Sequence, residues 1–242
     1  MPATPGAPEV PGALSVIPVT GIGEVRRGDD LARLIARRAA LADGDVVVVT
    51  QKIVSKSEGR MVPLDPDDPS ARTRLIESEA VRVLRRRGEL LVTQTRHGFV
   101  CANSGVDLSN VERGWAALLP EDSDRSARRL RDGLRACAGV EVAVVVSDTF
   151  GRAWRQGVVD VAIGCAGIAG ILDLRGTTDS LGRELVATEI CIADEIASAA
   201  ELVMGKATQV PVAVIRGVDA NWLRAGSVAA EVVRPPAEDL FR

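Results

Sequence analysis

Two aspartates stand where proteins often present a carboxylate to a metal ion. Asp148 follows the apolar run Val142–Val146, and a side chain at the end of a buried strand has a fixed position. Asp107 lies in a polar loop among serine and asparagine residues, which could offer a carboxylate to a metal and an amide to a nucleotide. Both aspartates also fit turns or helix caps, and each segment taken alone favours that plainer interpretation.

Basic side chains accompany both acids. The segment Gln51–Lys56 follows a continuous run of valines, and a lysine just past a strand end would neutralise phosphate charge. An ordinary surface lysine fits the same pattern. After Asp148, Arg152 and Arg155 offer donors to phosphate or carboxylate groups, or form a structural salt-bridge cluster. Separated acids, hydroxyls, amides and basic groups suit Mg²⁺ or Mn²⁺ with a phosphorylated ligand.

Several other chemistries lack their usual residues. The chain has neither the dinucleotide-binding pattern G-x-G-x-x-G nor the phosphate-binding pattern G-x-x-x-x-G-K-[S/T], and it has no G-x-S-x-G motif. Its single histidine, His97, cannot build a histidine-rich metal site. The four cysteines include no C-x-x-C pair, which suits neither a zinc ribbon nor a disulfide scaffold and indicates a reducing cytoplasm.

The amino-acid composition excludes several further classes of protein. The 242 residues include 30 basic and 33 acidic side chains, a net charge of −3. Hydrophobic residues at 46% predict a packed core rather than a disordered chain. The balanced charge and an aromatic content of 2% argue against a nucleic-acid surface. No apolar run is long enough to span a bilayer, and the first residues lack a signal-peptide pattern.

Strands and helices must position these side chains within one domain. We expect a flexible arm over residues 1–13, rich in proline and glycine, and a folded domain over 14–242. Residues 21–25 are predicted to run from a strand into a loop. Apolar and β-branched runs predict further strands at 45–50, 90–93, 142–146 and 212–215.

The helical spacing of apolar residues predicts helices at 30–42, 71–87, 123–137 and 192–204. Asp29 and Asp30 cap the first helix, and the second ends in the segment Arg85–Gly88, typical of a charged last turn closed by glycine. Helices and strands follow no steady βαβ rhythm. The sequence therefore predicts an α+β fold of mixed sheets with flanking helices.

Four segments in order resemble the coenzyme F420-0:L-glutamate ligase family, which includes the ligase domain of two-domain mycobacterial proteins. The similarity extends from about Val16 to the end, and the order and spacing of the motifs make it specific. The matching segments are Gly44–Arg60, Thr95–Asp107, Ser147–Arg155 and Thr188–Glu195.

The resemblance implies a GTP-dependent ligase that attaches L-glutamate to the deazaflavin precursor F420-0 through an acyl phosphate. Some members add further γ-linked glutamates. It implies Mg²⁺ or Mn²⁺ as metal, with a monovalent cation such as K⁺ as a further candidate. It also implies a family-specific fold, a homodimer, and a cytoplasmic enzyme without nucleic-acid or membrane partners.

The resemblance also assigns roles to residues. Asp107, Asp148 and Thr149 would hold the metal ions. The residues that would contact GTP are Ile22, Gly23, Glu24, Val25, Gln51, Lys56 and Asn110. From charge and neighbourhood, candidates for binding the precursor's phosphodiester or the glutamate carboxylates are Arg96, Arg152 and Arg155.

One position departs from the family pattern. Archaeal members tend to carry an acidic residue where this chain has Lys206, which leaves the ligands of a second metal ion open. Two other functions fit the same residues: a metal-dependent nucleotide or phosphoester hydrolase, and a noncatalytic deazaflavin- or nucleotide-binding protein. Because the sequence stops at Arg242, we expect no reductase-like domain of the mycobacterial kind.

Overall fold

The computed structural model describes residues 12–239. In this range the helices are α1 (Leu31–Ala36), α2 (Gln51–Ser57), α3 (Ala71–Glu79), α4 (Ser123–Ala138) and α5 (Ile192–Met204). The strands are β1 (Ser15–Pro18), β2 (Val46–Thr50), β3 (Met61–Pro63), β4 (Ala80–Arg87), β5 (Leu90–Thr95), β6 (Val100–Ala102), β7 (Trp115–Ala117), β8 (Ala143–Gly151), β9 (Val158–Ala166), β10 (Leu172–Asp173), β11 (Glu189–Ile190) and β12 (Val212–Arg216).

A five-stranded mixed sheet in the order β1-β12-β2-β8-β9 forms the main core. Strands β2 and β8 are parallel, and the other neighbouring pairs are antiparallel. Val47 and Val49 face a layer that contains α1 and α4, whereas Val46 and Val48 face α5. This alternation explains the unbroken valine run, since a strand covered on both faces needs apolar residues on each.

A second, smaller region stands beside this core. It contains the antiparallel sheet β4-β5-β6 and helix α3, and its apolar centre includes Ile76, Leu91 and Val106. The two-stranded sheet β3-β7 connects to it through Ala116, which is fully buried. Strand β4 lies at the edge of its sheet and is exposed along nearly its whole length.

Most predicted elements are confirmed. The strands expected at 45–50, 90–93, 142–146 and 212–215 correspond to β2, β5, β8 and β12, and the last two helices correspond to α4 and α5. The α+β class with mixed sheets and flanking helices is also confirmed. The expected arm over residues 1–13 lies almost wholly outside the described residues.

The helix predicted over 71–87 is wrong in its second half, because α3 ends at Glu79 and β4 follows at once. Strand β4 pairs with β5 through a two-residue turn in which Gly88 has a φ of +57°. Val83, near the middle of β4, is 40% exposed rather than buried against a core. Pairing with β5 outweighs a helical pattern that is weak here, and the arginines before Gly88 belong to a hairpin rather than a helix end.

Two other boundaries differ. Helix α1 begins at its cap Asp30, as expected, but ends at Ala36 rather than at 42, since the carbonyl of Ile35 accepts N–H groups from two following residues and turns the chain. No strand forms over 21–25. Gly21 and Gly23 both have φ angles of +75°, a conformation that interrupts a strand.

The glycine-rich stretch after residue 157 contains a close backbone approach. A Cβ atom on Gly164 of β9 would lie 2.3 Å from the carbonyl carbon of Ser123, at the start of α4. Glycine is therefore required for this helix to reach the sheet. Within residues 12–239, no helix is both long and apolar enough to cross a lipid bilayer.

Candidate functional site

The topology brings three chain connections to one edge of the main sheet. In the parallel pair, Thr50 of β2 lies opposite Ser147 of β8, so α2 and the Asp148–Thr149 segment leave the same edge. Strand β12 runs in the opposite direction, and the connection before it, which carries Lys206, reaches this edge too. The carboxyl ends of parallel strands are a common position for ligand sites.

Thr149 is held by the neighbouring strand β9. Its cross-strand partner is Asp160, and the Thr149 hydroxyl donates to Asp160 Oδ1 at 2.6 Å. Ser147 donates to the other carboxylate oxygen at 2.9 Å. Asp160 is only 2% exposed, and Lys206 Nζ donates to Thr149 Oγ1 from the solvent side. A buried carboxylate therefore fixes the orientation of a hydroxyl that a cation already contacts.

A left-handed turn precedes Asp107. Asn103, Ser104 and Gly105 have φ angles of +53°, +54° and +70°, which costs each non-glycine residue about 1–2 kcal/mol. Hydrogen bonds offset this strain: Ser104 Oγ donates to the carbonyl of Ile76 at 2.8 Å, and Asn103 Oδ1 accepts from the N–H of Leu91 at 3.1 Å. The turn thus connects the small sheet rigidly to the Asp107 loop.

Asp107 is paired with a lysine from α2. Lys52 Nζ donates to Asp107 Oδ2 at 2.5 Å and to Ser109 Oγ at 2.8 Å. The N–H of Ser109 donates to Asp107 Oδ1 at 2.7 Å. Burial favours the neutral acid, but these hydrogen bonds and the Lys52 charge outweigh it and lower the pKa of Asp107. Its carboxylate is therefore ionised at neutral pH.

Asp107, Asp148 and Thr149 line one cavity of about 410 Å³, together with Lys206 and Arg72. Burial raises the pKa of Asp148 to about 7, and the negative charges of Asp107 and Asp160 add to this shift. The N–H of Thr149 and the Lys206 charge oppose it in part. Asp148 thus lies where negative charge accumulates and where a further cation would stabilise its ionised form.

This donor set fits Mg²⁺ or Mn²⁺, which commonly take one or two protein carboxylates and complete their coordination with water and substrate phosphates. Asp107 and Asp148 would supply carboxylate oxygens, and Thr149 a hydroxyl oxygen with an unused lone pair. Within residues 12–239, no cluster of three or more His, Cys, Asp or Glu side chains could hold a metal ion by itself. A protein-only cage is therefore not present in that range.

Three of the seven residues proposed to contact GTP are linked to one another near this cavity, whereas Ile22 and Val25 are buried in the main core. Lys56 Nζ donates to Glu24 Oε1 at 2.5 Å and to the carbonyl of Asn110 at 3.2 Å, which joins three of them. The Asn110 side chain donates to the carbonyl of Lys206 at 3.5 Å. Gln51 differs, because it is 2% exposed and its Oε1 lies 2.9 Å from the hydroxyl of Ser55 inside the protein.

The three arginines proposed to bind substrate do not line the cavity. Arg96 lies 3.6 Å from Glu79, away from the two aspartates. Arg152 and Arg155 lie in the exposed β8–β9 turn, where Arg152 donates to the carbonyl of Gln156 at 3.3 Å. The cavity wall contains a different arginine, Arg72, which the sequence analysis did not single out.

The supporting roles of Lys52 and Asp160 were not predicted from the sequence either. Lys52 and Lys56 are four residues apart, so on a helix they share one face, and that spacing was a usable signal. Asp160 and Arg72 gave no comparable signal. Asp160 lies in a valine-rich strand and Arg72 in a short charged helix, and only their spatial partners indicate a role.

Comparison with known proteins shows the family of this chain. Residues 21–217 match the family described as F420-0:Gamma-glutamyl ligase. The Coenzyme F420:L-glutamate ligase of Methanopyrus kandleri is 44% identical over 95% of this chain and 98% of its own length. Proteins of the same name from Methanothermobacter thermautotrophicus and Archaeoglobus fulgidus are 41% and 40% identical, again over 95% of this chain and 99% and 96% of theirs. The chain therefore belongs to the F420-0:Gamma-glutamyl ligase family.

Proposed function

We propose that this protein is a ligase that joins the amine of L-glutamate to a carboxylate of F420-0, using GTP and a divalent metal. The observation that carries the proposal is the shared cavity of Asp107, Asp148 and Thr149. Relatives named Coenzyme F420:L-glutamate ligase, matched over nearly their whole length, supply the substrate class. Addition of further γ-linked glutamates is part of the same proposal.

The proposed reaction has two steps. A carboxylate is a poor acyl donor, so an oxygen of the F420-0 carboxylate first bonds to the γ-phosphorus of GTP. The bond from that phosphorus to the β,γ-bridging oxygen breaks, which releases GDP and leaves an acyl phosphate. The glutamate amine then bonds to the acyl carbon, inorganic phosphate leaves, and the new amide nitrogen loses a proton to solvent.

The protein's part is mainly positioning and charge. Asp107, Asp148 and Thr149 would hold Mg²⁺ or Mn²⁺, and the ion would neutralise phosphate charge as it develops. Lys52 fixes the Asp107 carboxylate, and Asp160 fixes the Thr149 hydroxyl. Because these groups are preorganised, little reorganisation is needed during phosphoryl transfer.

The nucleotide would bind where Glu24, Lys56 and Asn110 meet, near the cavity. Hydrogen bonds to Glu24 and Asn110 orient Lys56. When GTP binds, its phosphates would compete with these partners for the Lys56 ammonium group. The loop Ile22–Val25 and the Asn110 amide would contact the remainder of the nucleotide. Gln51, being buried, would act by supporting α2 unless the nucleotide reaches its amide through the loop.

Mass spectrometry of the products tests the proposal directly. The protein is incubated with F420-0, GTP, L-glutamate and Mn²⁺, with and without K⁺, and each component is omitted in turn. We expect a product heavier than F420-0 by one or more glutamyl units, formed only when all three substrates and the metal are present. GTP cleavage that continues without F420-0 or glutamate would indicate a hydrolase, and binding without any product would indicate a noncatalytic protein.

We also propose that the protein acts as a homodimer. Apolar side chains are exposed beside the β8–β9 turn and in the loop after β10: Trp154 and Leu181 are each 92% exposed and Val186 is 78% exposed. Contiguous exposed apolar patches commonly mark interaction surfaces, and we propose that these side chains form one. Light scattering should give twice the 25.5 kDa chain mass, and Trp154→Ser with Leu181→Ser should give a monomer.

A further inference from the structure

Arg72 is a cavity residue whose guanidinium is incompletely paired. It lies in the first turn of α3 and lines the same cavity as Asp107 and Asp148. Its Nε atom is buried and has no hydrogen-bond partner among residues 12–239. Its ion pair, with Glu89, is long at 3.9 Å, and the Glu89 side chain is 96% exposed. An exposed pair of this length contributes little, so the guanidinium keeps most of its capacity to bind an anion.

The lysines beside the cavity's aspartates are engaged differently. Lys52 contacts the Asp107 carboxylate at 2.5 Å, so the lysine charge is already paired with a carboxylate. Lys206 donates to Thr149 and lies close enough to oppose the charge of Asp148. Arg72, by contrast, makes no ion pair with an aspartate of the cavity.

We propose that Arg72 binds a carboxylate of the incoming L-glutamate and so selects an acidic amino acid as the acceptor; this rests on the proposed function. Glutamate brings two carboxylates into a cavity that Asp107 and Asp148 make unfavourable for anions. A guanidinium offers parallel N–H donors that match both oxygens of a carboxylate. The terminal nitrogens of Arg72, whose side chain is 38% exposed at the cavity wall, supply these donors.

Steady-state kinetics of Arg72→Gln in the full chain test this assignment. We expect the KM for L-glutamate to rise about 10- to 100-fold, because a charge-assisted hydrogen bond is lost, while the KM values for GTP and F420-0 stay within about twofold. Arg72→Lys keeps the positive charge but lacks the planar donors. Its KM for L-glutamate should therefore lie between those of wild type and Arg72→Gln. Arg74→Gln is the matched control, since Arg74 lies on the same helix but pairs with Asp68 at 2.5 Å on the surface.

Two glutamate analogues sharpen the test. L-glutamine lacks the γ-carboxylate and L-isoglutamine lacks the α-carboxylate, so wild-type protein should discriminate against one of them and Arg72→Gln should lose that discrimination. An active Arg72→Gln variant with an unchanged KM for glutamate would overturn the assignment and leave the proposed function standing. A raised KM for F420-0 or GTP instead would also overturn it. Wild-type protein that forms no amide would instead refute the proposed function itself.

Discussion

Strands β2 and β8 of the main sheet are buried on both faces, whereas β4 of the small sheet is exposed along nearly its whole length. Each region contributes to the cavity: the main sheet provides Asp148 and Thr149, and the small region provides Arg72 and the turn before Asp107. The main sheet is supported by two large apolar clusters, while the small region has one cluster with five buried members.

This difference in packing separates two of the residues proposed to hold the metal from the residue proposed to bind glutamate. Asp148 and Thr149 extend from the better-packed sheet, where Asp160 orients Thr149 at 2.6 Å. The residue proposed to recognise glutamate belongs to the less deeply packed region, where neighbouring structure can adjust more readily. Three experiments test whether the two regions differ in this way.

The largest effect is expected at Asp148. Asp148→Asn should lower kcat by about 10³-fold, because it removes the carboxylate whose charge no neighbouring lysine matches directly. Asp107→Asn should cost less, since Lys52 already neutralises much of that charge. Rates of amide formation measured by chromatography under saturating substrates give both values.

The stability of Asp148→Asn provides its control. Burial and nearby carboxylates raise the pKa of Asp148, so its ionised form is unfavourable in the folded protein at pH 8. The amide removes that repulsion, and thermal unfolding at pH 8 should show stability equal to or above wild type. A variant with wild-type ligation rates would contradict the role of Asp148 as a metal ligand.

An intermediate effect is expected from matched core truncations. Ile35 on α1 and Ile76 on α3 are 0% and 1% exposed, one in each region. Ile35→Ala should reduce the free energy of global unfolding by about 2–5 kcal/mol. Ile76→Ala should act mainly on local opening of the small region, visible as faster amide hydrogen exchange in α3, β4 and β5.

Denaturant unfolding with hydrogen-exchange mass spectrometry distinguishes these outcomes. If Ile76→Ala lowers the unfolding midpoint as much as Ile35→Ala, and exchange accelerates equally in both regions, the two regions unfold as one cooperative unit. The proposed difference between them would then be lost, although the cavity itself would be unaffected.

The smallest effect concerns two buried thiols. Burial raises the pKa of both Cys101 and Cys165 to about 12, so neither reacts while its region is closed. Cys137 is exposed on α4 and should react with a maleimide first. We expect Cys101, in the small sheet, to be labelled before Cys165, in the main sheet; the reverse order, read by peptide mapping, would contradict the comparison.

Much of the main sheet could be predicted from the sequence. The unbroken valines of β2 leave few alternatives to a strand covered on both faces. The small sheet could not be predicted so well, because the segment after Glu79 carries a weak helical pattern that pairing with β5 overrides. The backbone of an arginine-rich edge strand makes its hydrogen bonds with the neighbouring strand. A pattern over a few residues carries no information about that neighbouring strand.

The residues of the site also differ in how well the sequence predicted them. Asp107, Asp148 and Thr149 were identified through their motifs, and the structure places all three around one cavity. The substrate-binding roles of Arg96, Arg152 and Arg155 were proposed from charge and neighbourhood and stay predictions, and none of these residues lines that cavity. Arg72 could be recognised only from its buried, unpaired nitrogen.

The amino-acid sequence alone determined the buried strands, the main helices, the family and the acidic side chains, because each is encoded by residue type and spacing over short stretches. Tertiary structure decided which charges meet. Strand register places Asp160 opposite Thr149, and the direction of β12 brings Lys206 to the same edge. Electrostatic and hydrogen-bonding interactions act over a few ångströms in space, and only the folded chain sets those distances.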